Sequence, residues 1–300
     1  MTDFERYIAA HAIRKNTIGK SGADVYELEN GRIAKHVCRD KLADNSLWDS
    51  YVRECQFYSS HVSKGCHFLP EIYHCCGSGD EIQIIMKKYR PLYWQDGKEE
   101  MLERFFAVLG EIHNLPIPRF LWEKKAENPY YDPNTLAQCL EGWQSVVKEH
   151  GQVFSQDDLY RVWENINALN KSLYSPREWC CHGDFHMENL LEAEDGRILV
   201  CDWQSVGPGH AAGDISFFLS RLAADGCRIS RERAVKTYCR LSSTDVAEKE
   251  ISVQMSLANL NTSFVFWHCY LHGSSQKRVW EIFSAMVGDL DFLLEARGFH

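Results

Sequence analysis

The chain has 300 residues, enough for one large domain or two lobes around a sizeable core, and its 45% hydrophobic and 25% charged content is ordinary for a globular protein. A net charge of −9 argues against nucleic acid as a partner, because no surplus of Lys and Arg is left to neutralise phosphates; it is compatible with a cationic substrate. No apolar run reaches membrane-spanning length, and the opening residues, with Asp3, Glu5 and Arg6, lack the basic-then-apolar order of a signal peptide, so a cytoplasmic protein without membrane contact is expected.

Phe4, Tyr7, Ile8 and His11 recur at helical spacing and predict a short amphipathic helix. Thr17–Asp24 then leads into the alternating Val25-Tyr26-Glu27-Leu28, and Asn30-Gly31 is a type I′ turn signal before a return strand over Arg32–Val37. With that two-residue turn, Tyr26 faces Lys35. Gly19 and Gly22 would let the backbone approach phosphate oxygens, although a plain hairpin turn explains the pair equally well. Leu47–Val62 carries Trp48, Tyr51, Val52, Cys55 and Tyr58 at helical spacing, with Ser46 as N-cap. Glu54 lies one turn from Tyr51 and Tyr58, where its carboxylate could reach Lys35 and hold it towards a nucleotide. A solvated glutamate and an ordinary strand lysine are the plainer alternative.

Strands over Leu69–His74 and Glu81–Met86 flank the turn Gly77-Ser78-Gly79-Asp80. At Lys87-Lys88-Tyr89-Arg90-Pro91 the pattern changes from β to helical, which places a junction between lobes of residues 1–88 and 89–300. The helices expected beyond it are Met101–Leu115, Asn134–Glu149, Gln156–Leu173, Ile215–Leu222, Arg231–Leu241, Ile251–Tyr270 and Val279–Leu294, with Leu115–Pro133 a proline-rich connecting loop. Their aromatic stripes are core packing. The twelve cysteines fit a reducing compartment, since Cys75-Cys76 and Cys180-Cys181 are adjacent pairs and not the spaced pairs of a zinc site.

The polar chemistry is concentrated between Cys181 and Asp214. Leu190–Ala193 and Ile198–Cys201 read as strands around Asp195-Gly196, another two-residue turn signal. Asn189 then faces Asp202 in a non-hydrogen-bonded pair, with Cα atoms about 4.5 Å apart and both side chains on one face. An amide oxygen and a carboxylate that close, with Asp184 a short loop upstream, make a hard-oxygen site suited to Mg²⁺ carrying phosphates. That points to phosphoryl transfer. Each residue alone fits a turn or strand end; the combination of His-Gly-Asp, an Asn, a hairpin and a second Asp carries the reading. His182, Asp184 and His186 also form a His-x-Asp-x-His string, but no further His-rich segment accompanies it to complete a dinuclear metal site. Asp289, Asp291 and Glu295 would attract a cation or simply solvate a helix face.

Taken together, this order of elements resembles the protein-kinase-like fold: α+β and bilobal, with a small β-rich N-lobe and a larger, mostly helical C-lobe. Within it the chain is similar to the aminoglycoside phosphotransferase and choline-kinase branch of small-molecule kinases. His182-Gly183-Asp184-Phe185-His186-Met187-Glu188-Asn189 resembles the branch's His-Gly-Asp catalytic loop, with Gly where protein kinases have Arg. Cys201-Asp202-Trp203-Gln204 stands where the metal-binding Asp-Phe-Gly does, without its Gly, and Gly209 through Asp214 is similar to the branch's Gly…Asp segment. The general order spans nearly the whole chain; the specific matches lie in Cys181–Leu219.

The resemblance implies an ATP- or GTP-dependent, Mg²⁺-requiring kinase acting on a small-molecule hydroxyl. The acceptor would be an aminoglycoside-like antibiotic, an amino alcohol such as choline, or a sugar-like metabolite. It implies Asp184 as the base taking the hydroxyl proton, Asn189 and Asp202 as Mg²⁺ ligands, and Lys35, held by Glu54, on the nucleotide phosphates. Gly19 and Gly22 would belong to the nucleotide loop and the backbone of Met86–Tyr89 to the adenine edge. His182 and Asp214 would support the catalytic loop, Asp214 being otherwise a plain N-cap. Residues 1–88 become the nucleotide-binding lobe and 89–300 the catalytic, substrate-binding lobe, with acceptor contacts around Trp122–Tyr131 and the last helices. The loop at Gly19–Asp24 has fewer glycines than protein-kinase loops, and no basic residue follows Asp184 closely, which argues against a protein acceptor. A catalytically silent nucleotide-binding regulator is the reading from another class; the joint presence of Lys35, Asp184, Asn189 and Asp202 disfavours it.

Overall fold

Helix α1 (Asp3–His11) starts on a capping box in which Thr2 and Glu5 exchange side-chain and backbone hydrogen bonds. The computed structural model that shows this describes residues 2–16, 22–60, 65–94, 99–122, 131–151, 154–175, 177–243 and 245–298, so Gly19 lies outside the described residues. Phe4 and Ile8 of α1 pack on Leu28, Ala34 and Ile85, on one face of a five-stranded antiparallel sheet. Its strands are β1 (Ala12–Asn16), β2 (Asp24–Leu28), β3 (Arg32–Cys38), β4 (Ile72–Ser78) and β5 (Glu81–Lys87), in the order β1-β2-β3-β5-β4. Helix α2 (Asn45–Ser59) covers the other face, its Tyr51, Cys55 and Tyr58 sharing a core with Val37, Ile82 and Ile84.

Three local expectations change here. The N-cap of α2 is Asp44, whose carboxylate accepts from Leu47 N at 3.0 Å, and not Ser46. Strand β4 runs on to Ser78, which pairs with Glu81, so the turn shrinks to Gly79-Asp80. The β2–β3 hairpin is also out of the expected register by one residue: Val25, not Tyr26, lies across from Lys35. Its loop is Glu29-Asn30-Gly31, closed by Gly31 N to Leu28 O at 3.2 Å, with only Gly31 left-handed. This is the three-residue type I plus bulge loop, one residue longer than a type I′ turn. A slip of one exchanges faces, so Tyr26 joins the α1 side, while Lys35 turns towards α2.

Beyond β6 (Arg90–Pro91) the architecture is mostly helical: α3 (Glu99–His113), α4 (Arg119–Trp122), α5 (Pro133–Glu149) and α6 (Gln156–Leu173). The short α4 lies within the segment expected as a loop. Then come β7 (Trp179–Cys181), β8 (Leu190–Glu192), β9 (Ile198–Val200), β10 (Gly207–Gly209), α7 (Ala211–Ala224), α8 (Arg231–Leu241), α9 (Glu248–Val265) and α10 (Gln276–Gly298). A small sheet β6-β8-β9 ties the link after β5 to the hairpin, and β10 pairs with β7. One core runs from the sheet through α2 and α3 to α7. A second is built from α5, α6, α9 and α10, where the buried Trp143 donates its indole N–H to Phe264 O at 3.0 Å. No helix among the described residues is long and apolar enough to cross a membrane.

Candidate active site

The loop between β7 and β8 is held from beneath by one buried carboxylate. Asp214 Oδ2 accepts from His182 N and Oδ1 from Gly183 N, each at 2.8 Å, and His113 Nε2 lies 3.2 Å from Oδ2. Asp214 is therefore not the N-cap of α7; that position is His210, and Asp214 sits inside the first turn. Burial alone would raise its pKa, but His113 and the loop N–H groups prevail and hold it below the ordinary value. Gly183 has φ +79°, and a Cβ there would lie 2.5 Å from Ser205 O, so only glycine fits this bend. His182 is fully buried: its Nε2 lies 3.0 Å from Cys201 O, its Nδ1 accepts from Asp184 N at 3.2 Å, and desolvation lowers its pKa.

Asp184 emerges from this scaffold with Asn189 beside it. The Asn189 amide donates to Asp184 O at 2.9 Å and to Asp184 Oδ2 at 3.1 Å, and lies 3.2 Å from His186 Nε2. The facing pair of Asn189 and Asp202 does not form. Leu190 pairs with Val200 and Glu192 with Ile198, so Asn189 is level with Cys201, whose N–H donates to Asn189 O at 3.0 Å. The cause is the same as in the first hairpin: Gly196 N donates to Ala193 O at 2.9 Å and Gly196 alone is left-handed, giving a three-residue loop. The metal pair derived from a two-residue turn is thus incorrect as a register.

Asp202 reaches the site by other means. Its backbone is left-handed, φ +63°, the only non-glycine in that state among the described residues. It accepts from Lys35 Nζ at 3.1 Å and from the Gln204 amide. Lys35 also donates to Glu54 Oε2 at 2.7 Å, so one ammonium joins the sheet, α2 and the segment after β9. Burial works against the Lys35 charge, but the Glu54 and Asp202 carboxylates outweigh it and raise its pKa; burial likewise opposes the charge on Asp202, where Lys35 prevails and lowers it. For Glu54 burial dominates and pushes the carboxyl up.

Further residues serve this geometry without a local sequence signal. Arg53 Nη1 donates to Gln204 O at 3.2 Å and Phe57 stacks on Trp203 at 4.3 Å, fixing α2 to the Asp202 segment. His113, at the end of α3, orients Asp214 while its Nδ1 lies 2.7 Å from the Tyr238 hydroxyl. Of the acidic residues on α10, Asp289 is buried against Arg231 and Asp291 pairs with Arg161, so both already have cationic partners. Gly22 has φ +82°, as a turn glycine requires; most of Trp122–Tyr131 lies outside the described residues.

Residues 83–250 match the phosphotransferase enzyme family model. The chain belongs to the phosphotransferase enzyme family. No curated protein matches it. Among solved structures, it is similar to an ADP-bound aminoglycoside phosphotransferase, APH(2'')-Ib, with 17% identity over 96% of this chain and 98% of that one, TM-score 0.59. An ethanolamine kinase from Plasmodium vivax is similar at 13% identity, 92% and 81% coverage and TM-score 0.54. The choline kinase LicA from Streptococcus pneumoniae follows at 11% identity, 99% and 98% coverage and TM-score 0.53. At such identities the likeness establishes the fold, a small β lobe joined to a mostly helical remainder.

Proposed function

We propose that this phosphotransferase moves the γ-phosphoryl group of ATP or GTP to a hydroxyl of a small molecule, with Asp184 as the base. The observation that carries this reading is the double engagement of Lys35, by Glu54 on α2 and by Asp202 across 167 positions of chain. A buried ammonium fixed at both ends is set to hold phosphate oxygens opposite the Asp184 loop. In this account residues 1–88 are the nucleotide lobe and 89–300 carry catalysis and acceptor binding.

The acceptor hydroxyl is placed against Asp184, whose carboxylate orients it and takes its proton as the oxygen attacks the γ-phosphorus and the bond to the β,γ-bridging oxygen breaks, releasing the nucleoside diphosphate. Asn189 steadies Asp184 through the 3.1 Å amide contact, and Asp214, through the loop backbone, keeps the carboxylate in place. Lys35 counters charge on the phosphates. Two oxygens, Asn189 Oδ1 and Asp202 Oδ2, receive no hydrogen bond among the described residues. An amide and a carboxylate oxygen suit a hard divalent cation, so these residues would hold Mg²⁺. When bound, Mg²⁺ would supply neutralisation of the negative charge on the phosphates.

The test is mass spectrometry of a mixed aminoglycoside, amino-alcohol and sugar panel incubated with enzyme and Mg-ATP. One acceptor gaining one phosphoryl group is expected. Tight Mg-ATP binding with no acceptor modified would favour a silent nucleotide-binding regulator instead.

A further inference from the structure

Beside the catalytic loop lies a cavity of about 970 Å³, bordered by Gly183 and walled by α7, α9, α10 and the turn after α9. Its wall offers the faces of Phe217, Phe266 and Trp267, and the uncharged hydrogen-bonding groups of Ser216, Asn259 and Ser263. Ser216 Oγ is buried without a hydrogen-bond partner, and the Asn259 amide makes no hydrogen bond among the described residues. Buried polar groups are normally paired, so these are positioned for a ligand's hydroxyls.

The charges on this wall are already committed. Asp214 is spent on the catalytic loop, and Asp289 Oδ1 accepts from Arg231 Nη1 at 2.7 Å, with Ser256 Oγ a second acceptor for the same group at 2.6 Å. A polycation entering here meets, among the described residues lining the cavity, no uncommitted carboxylate.

We propose that this cavity takes an uncharged hydroxylated ring, sugar- or cyclitol-like, stacked on the aromatic wall and hydrogen-bonded by Ser216 and Asn259, in preference to a cation, which finds no uncommitted carboxylate among the described lining residues. The proposal rests on the reading of the chain as a small-molecule phosphotransferase and chooses among its acceptor classes. Apolar C–H faces of such rings suit aromatic side chains, and their hydroxyls suit the Ser216 and Asn259 groups.

Saturation-transfer NMR without nucleotide tests it, with myo-inositol and methyl β-glucoside as neutral probes and choline and kanamycin as cationic ones. The neutral rings should show saturation transfer and the cations none. Asn259→Leu should weaken the neutral signal by about fivefold to tenfold, the loss of one hydrogen bond with its partner left unpaired. The proposal is overturned if choline or kanamycin binds the native protein, if neither neutral ring binds, or if Asn259→Leu leaves the neutral signal unchanged. A neutral ring that binds but is never phosphorylated with Mg-ATP would sink the kinase reading and leave this one standing; cations that bind and are phosphorylated would do the reverse.

Discussion

Asp214→Asn is the perturbation that bears most directly on how the Asp184 loop is held. The carboxylate accepts two backbone N–H groups at 2.8 Å and faces His113 at 3.2 Å. An asparagine offers one oxygen to this set and turns its NH₂ against one of the backbone donors. One charge-assisted hydrogen bond, about 1.5–3 kcal/mol, is lost, and a buried donor left unpaired adds about 1–3 kcal/mol. A destabilisation of roughly 3–5 kcal/mol at pH 7 is expected, read as a lower urea midpoint with an unchanged slope. The pH dependence supplies a second reading. Because the folded pKa is depressed below 3.8, the contribution is fully present above that pH and is lost as pH falls through the folded value. The gap between parent and variant should therefore narrow as the pH drops below about 3.8. A loss under about 1 kcal/mol, or a gap that stays constant into acid, would refute the bracing role of Asp214.

Glu54→Gln should destabilise the fold by about 3 kcal/mol and raise the Kd for Mg-ATP, because it leaves the buried Lys35 ammonium with Asp202 alone; denaturant titration and calorimetry check both effects. Gly183→Ala forces a side chain into the left-handed region against Ser205 O, and turnover should fall by about 10²-fold through misplacement of Asp184 while Mg-ATP affinity holds. Gly196→Ala is the control for the hairpin loop: its Cβ would meet nothing within 4 Å, so only the left-handed backbone is strained, costing about 1–2 kcal/mol in urea with turnover per folded molecule unchanged.

Much of the architecture was legible from periodicity and turn chemistry. The helices over Gln156–Leu173 and Arg231–Leu241 fall where apolar spacing places them, because each buries a single stripe. Both Gly-containing dipeptides do mark hairpin turns. What they leave open is loop length: a type I′ turn and a type I turn with a left-handed Gly share the same residues but differ by one position. That residue decides which face a strand side chain occupies. Tyr26 is consequently misassigned, and Asn189 fails to face Asp202. The approach of Asp202 to Lys35 depends instead on its left-handed backbone, which no local pattern announces for an aspartate. His113 was invisible for another reason: its partner Asp214 is 101 residues away, and a histidine ending a helix carries no mark of it.

The central claim, that Asp184 is the base of a phosphoryl transfer, is tested most directly by Asp184→Asn. The amide keeps the size of the carboxylate and the neighbouring Asn189 contact, but it cannot take the hydroxyl proton. Turnover on an accepted substrate, measured beside Mg-ATP titration calorimetry, should fall by roughly 10²–10⁴-fold with nucleotide affinity nearly unchanged. A variant that keeps full turnover would contradict the account.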